Sequence, residues 1–73
     1  MIMTKKLLIE GMSCAHCVKH VEDALNEIKG VTSAKANLEE KNALVELNQD
    51  ISDDTFREAI EEVGYELTGI QTL

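Results

Sequence analysis

Seventy-three residues suffice for one domain with a small core and are too few for a large enclosed active site. Seven Lys and Arg stand against 14 Asp and Glu, a formal net charge of -7, so a phosphate backbone or an anionic membrane would be repelled and both are disfavoured as partners. No apolar run of about 18 residues is present to insert in a bilayer, and the N-terminus lacks the order of a secretory signal; the chain is therefore expected in the cytoplasm, where thiols stay reduced.

Residues Thr4 to Glu10 alternate as a strand, with Leu7 and Ile9 on one face and Lys6 and Leu8 on the other. From Ala15 to Lys29, Val18, Val21, Leu25 and Ile28 recur at spacings of three and four, one face of a helix that Gly30 ends. Val31 to Leu38 alternates through Ala34, Ala36 and Leu38. The polar Glu39-Glu40-Lys41-Asn42 reverses the chain, and Ala43, Val45 and Leu47 alternate again, which predicts a hairpin. Ser52 is a suitable N-cap for a second helix that buries Phe56, Ala59, Ile60 and Val63 and stops at Gly64; Tyr65 to Ile70 forms a last strand. Met1 and Met3 read as the start of translation and a frayed strand end. No repeat, low-complexity tract or linker interrupts this order, so residues 1–73 are expected to be a single domain.

The order is βαββαβ. Elements with one apolar face each can bury them together if both helices pack on one face of a four-stranded antiparallel sheet, the α+β ferredoxin-like sandwich. Gly11 to Cys17 then lies at one edge of the domain with Gly64-Tyr65 beside it. Leu8 and Leu44 face the bare side of the sheet, as scattered surface leucines or as a weak self-association patch.

The chemistry sits in Gly11-Met12-Ser13-Cys14-Ala15-His16-Cys17. Two cysteines three positions apart can aim both sulfurs at one point when the first lies in the loop and the second in the opening turn of a helix. The helix N-terminus favours thiolate over thiol, so Cys17 is expected to be the more acidic and Cys14 the more exposed. Thiolates are soft ligands that select copper(I) and similar ions. A structural zinc site wants four ligands, and the chain has two cysteines. Other readings of this spacing are a structural disulfide, a zinc half-site completed by His16 and His20, and a thioredoxin-like redox dithiol. The absence of any Pro or Trp argues against the last.

These residues resemble the Gly-Met-x-Cys-x-x-Cys signature of heavy-metal-associated domains. The likeness continues through Gly30-Val31, Asn37-Leu38 and Gly64-Tyr65, and is strongest to bacterial copper chaperones of the CopZ type. The resemblance implies a soluble copper(I) chaperone in which Cys14 and Cys17 are the metal ligands, Met12 is a buried support of the loop and Tyr65 neighbours the site. It also implies delivery by ligand exchange to the N-terminal metal-binding domains of a copper-transporting P-type ATPase. Ser13, where zinc and cadmium relatives often carry an acidic residue, favours copper. Residues Thr68 to Leu73, and Leu8 with Leu44, depart from a minimal version of the family.

His16 is expected in solvent beside the sulfurs, as an occasional third ligand or a contact in a copper-bridged homodimer; His20 lies a turn further along and reads as solvated. Tyr65 would cover the metal and direct its hydroxyl toward a sulfur. With Lys19, these residues form the expected contact surface for a partner. Two function classes stay open: a free carrier, and a metal-sensing domain of a larger ATPase. Met1 and the lack of a linker after Leu73 favour the carrier. No general base pairs with the dithiol and no nucleotide loop is present, so an enzyme is not expected.

Overall fold

The structure is a computed structural model and describes residues 3–73. Along the chain run β1 (Met3–Glu10), α1 (Ala15–Asn26), β2 (Val31–Asn37), β3 (Asn42–Leu47), α2 (Asp53–Glu62) and β4 (Glu66–Thr72). The strands form one antiparallel sheet in the order β2-β3-β1-β4, and the expected βαββαβ ferredoxin-like architecture is what the chain adopts. Leu7 and Ile9 of β1, Ala43, Val45 and Leu47 of β3 and Leu67 of β4 turn to the helices. There they meet Val21 and Leu25 of α1 and Phe56 and Ile60 of α2. Ile51, which precedes α2 and carries no periodic signal, is also buried.

Several boundaries differ from the sequence pattern: β1 begins at Met3 rather than Thr4, β2 ends at Asn37 rather than Leu38, and three others have an identifiable cause. The first helix ends at Asn26, short of Lys29, because the Ile28 amide donates to Leu25 O (3.1 Å) and the Val31 amide to Ile28 O (3.1 Å). Those tighter bonds bend the chain toward β2, and Gly30, at φ 104°, completes the bend. Ile28 still packs on the core, but from a turn. Asn42, assigned to the reversal, instead opens β3 and is buried. The reversal is held by Asn37 Oδ1, which accepts from the Glu40 amide (3.0 Å). β4 begins after Tyr65 and runs on to Thr72, so most of the segment beyond the minimal family pattern lengthens that strand. Met3 pairs with Leu47 inside β1; the reading of Met1 falls outside the described residues.

α2 is bounded as expected. Ser52 Oγ accepts from the Thr55 amide (3.3 Å), and Asp53 and Asp54 in the first turn suit the helix dipole. At the other end the Gly64 amide donates to Glu61 O (3.0 Å) and the Tyr65 amide to Ile60 O (3.1 Å), the paired bonds of a Schellman cap. Such a cap needs the left-handed residue that Gly64 supplies at φ 91°. Elsewhere, Glu22 of α1 reaches past the sheet border and accepts the Ala36 amide of the edge strand β2 (2.8 Å).

The bare face of the sheet carries a row of side chains in register, Lys6, Leu44 and Lys35. Leu44 is exposed there, as is Leu73 at the end of the chain; Leu8 is half-buried. No described helix is long and apolar enough to cross a membrane.

Candidate metal centre

Antiparallel pairing decides which loops meet. β1 ends where β3 and β4 begin, since Leu8 lies opposite Asn42 and Glu10 opposite Glu66. The segment after β1, the β2–β3 turn and the turn after α2 therefore share one end of the molecule. The Ile9 amide donates to Lys41 O (2.9 Å), tying the β2–β3 turn to the strand that feeds the cysteine loop.

Gly11, at φ 103°, turns the chain out of β1. Met12 drops into the core and anchors the loop, as the resemblance implied. Cys14 is the N-cap of α1 in extended conformation (φ -153°, ψ 168°), and its carbonyl accepts the Cys17 amide (3.0 Å). The first cysteine thus stands at the loop's end and the second in the helix's opening turn. Their Sγ atoms are 3.1 Å apart. Cys14 is exposed and Cys17 buried, and both are free thiols.

The Cys17 thiol is lowered from 9.0 to about 6. A hydrogen bond from the Tyr65 side chain is the largest cause, followed by the backbone at Ser13 and the Cys14 thiol, while burial opposes them. Tyr65 shows the reciprocal effect: its hydroxyl is raised, first by the hydrogen bond to Cys17, because a donor facing a thiolate holds its proton more tightly. Sequence reasoning expected an acidic Cys17 and attributed it to the helix terminus, whereas the leading partner comes from the far end of the chain. The Ser13 backbone was missed, having no signature in side-chain type.

His16, Lys19 and His20 are exposed on α1. Among the described residues no three His, Cys, Asp or Glu side chains converge on one point, so His16 and His20 do not complete a zinc set with the cysteines. A hollow of roughly 300 Å³ on the bare sheet face is lined by Lys6, Lys35, Leu44 and Leu73 among others and by neither cysteine. The dithiol instead lies at the rim of a loop. Two soft sulfurs side by side, one buried and one open to water, can take up a thiophilic ion and leave a face free for an incoming ligand.

Known proteins are similar to this chain in sequence and in fold. Copper chaperone CopZ of Staphylococcus epidermidis is 46% identical over 67 residues, covering 89% of this chain and 98% of the relative. A solved CopZ metallochaperone matches with a TM-score of 0.83 at 42% identity, over 89% of this chain and 98% of that one. The Cu(I)-loaded N-terminal domain of a potential copper-translocating P-type ATPase from Bacillus subtilis gives a TM-score of 0.82 at 36% identity, covering 97% of this chain and 92% of that domain. Residues 6–66 match the heavy-metal-associated domain as a family. The loop, the fold around it and these likenesses agree, and the chain belongs to the heavy-metal-associated domain family.

Proposed function

We propose that this chain is a cytoplasmic copper chaperone, folded as one unit over residues 1–73, that carries a single Cu(I) as cargo between Cys14 and Cys17. It hands the ion by ligand exchange to a dithiol-bearing N-terminal domain of a copper-transporting P-type ATPase. The observation that carries this reading is the pairing of an exposed and a buried sulfur 3.1 Å apart at the mouth of one loop. The names of the relatives support copper as the cargo, and the likeness to an ATPase domain supports a partner of the same build.

Cys17 is the retained ligand, because it is buried in the opening turn of α1. Cys14, open to solvent, is the sulfur that a partner's thiolate displaces first or bridges to. Two sulfurs leave copper's coordination shell unfinished, so excess copper would also bring two copies together through four cysteines, with His16 at the seam. The test is titration with Cu(I) against a competing chelator. One equivalent should bind tightly, and Cys14→Ser and Cys17→Ser should each abolish it; tight one-to-one binding retained in either variant overturns the assignment. A second reading, that the chain is a receiving domain of a larger ATPase, draws on the 36% identity to such a domain. A reading frame continuing past Leu73 into membrane-spanning segments would favour it.

A further inference from the structure

Among the described residues the exposed large apolar side chains are Leu44 and Leu73, and both line the hollow of roughly 300 Å³ on the bare face of the sheet. Leu44 lies opposite Lys6 on β1 and opposite Lys35 on β2, so the two lysines flank it, roughly 10 Å apart at Cα. Both line the same hollow, and neither is held in an ion pair among the described residues. A lysine lays its apolar stem along such a wall and keeps its ammonium at the rim. A chain of net charge -7 thus carries an apolar floor between two cations.

A second copy is a poor occupant. Stacking two such faces about a two-fold axis sets lysine over lysine, whether the axis runs along the row or across it, and like charges face to face oppose the contact. Two hollows laid together would also enclose a void. An extended anionic surface feels the whole acidic chain, whereas a small anion samples the local field, which salt screens beyond about 8 Å. We propose that the hollow is a binding site for a small amphiphilic carboxylate of the medium-chain fatty-acid class: its apolar body lies on Leu44 and Leu73, and its carboxylate sits between the Lys6 and Lys35 ammonium groups. The hollow stands at the small end of ligand pockets, which suits a body of about eight carbons.

Glu40 sets the orientation. It lines the end of the hollow at the β2–β3 turn, where its carboxylate accepts from Asn42 Nδ2 (3.3 Å). Asn42 precedes Leu44 on β3 by about 7 Å. An anion is repelled from that end and drawn to the lysine row, so the apolar body points away from the turn and onto Leu73. The bond from the Leu73 amide to Thr4 O (2.9 Å) keeps that residue beside β1. Neither cysteine lines the hollow, so the site is separate from the metal loop and does not depend on the copper reading.

The test is an amide-resolved NMR titration of the metal-free, reduced protein with sodium octanoate, set beside octylammonium and acetate. Octanoate should saturate with a dissociation constant on the order of a millimolar and shift the amides of Lys6, Lys35, Leu44 and Leu73. Octylammonium has the same body with the opposite charge, and acetate has the charge without the body; each should bind at least about tenfold more weakly. The Lys6→Gln/Lys35→Gln pair should weaken octanoate by about tenfold and Leu44→Thr severalfold. Lys29→Gln, which removes a positive charge from the exposed turn after α1, should leave it unchanged. The wild-type series decides the outcome even where a variant folds poorly. Octylammonium bound as tightly as octanoate, shifts that gather elsewhere or fail to saturate, or an equal loss in Lys29→Gln would overturn the proposal. So would ligand-free shifts of the same amides that grow with protein concentration, which would give the face to a second copy, or uptake by phosphatidylglycerol vesicles without binding of free octanoate.

Discussion

Cys17 and Tyr65 together make acidity a property of the fold. An unfolded cysteine titrates near 8.5, whereas Cys17 in the folded chain is lowered to about 6 by Tyr65 first and by the backbone and Cys14 after it. Between those values the native state binds fewer protons than the unfolded state, so stability rises with pH across that window, levels off above it and is lost as pH falls through about 6. Urea midpoints of the reduced, metal-free protein, measured from about pH 5 to 9, should trace this rise. Tyr65→Phe should make it shallower, since the largest cause is then removed. A flat profile in the wild type would contradict the Cys17 thiolate. The cysteine pair itself was legible from spacing, because both sulfurs and the turn that aligns them are local. Tyr65 was legible one step later, once the βαββαβ order was read, because that topology sets Gly64-Tyr65 beside Gly11 to Cys17.

At the level of elements, the ends of α2 carry separable contributions. Ser52→Ala removes the side chain that accepts the Thr55 amide and should cost about 1 kcal/mol. Gly64→Ala forces a Cβ into a left-handed backbone where it would meet nothing within 4 Å, and should cost about 1 to 2 kcal/mol from conformation alone. Both losses should appear as lower urea midpoints with unchanged slopes; a changed slope would mean that the helix or its surroundings had reorganised. Both caps were readable beforehand, because Ser and Gly act there through their own chemistry. The end of α1 was misread for the same physical reason that made its middle clear: Ile28 keeps the apolar spacing and reaches the core, yet does so from a turn. Periodicity reports which residues are buried, and the hydrogen bonds to Leu25 and Ile28 that close the helix leave no mark on it.

For the whole molecule, charge is arranged along an axis. Asp53 and Asp54 lie where α2 starts, at the end away from the cysteines, and are engaged by Lys5 (3.7 Å) and Arg57 (3.1 Å). Glu61 and Glu62 lie near the capped end that leads to Tyr65, and Lys19 is exposed on α1 within a turn of Cys17. Asp53, Asp54, Glu58, Glu61 and Glu62 thus leave α2 acidic along its length. If copper passes through a docked complex, Lys19→Glu should slow its transfer to a separately produced dithiol domain severalfold without altering copper affinity. Raising salt should slow the wild type as well, since exposed charges are screened over about 8 Å at physiological ionic strength. Stopped-flow transfer that ignores both changes, or runs at the rate of spontaneous copper loss, would argue against docking. A different hazard attends any meeting between domains of like shape: an open strand border invites another strand to zip onto it. On β2 the Ala36 amide already has Glu22 as its acceptor, so at that point the helix stitches the border down like a tack in cloth. Encounters between look-alike sheets are thereby discouraged from knitting into one fabric at that edge, and a pair drawn together at the thiols keeps a ready way to come apart.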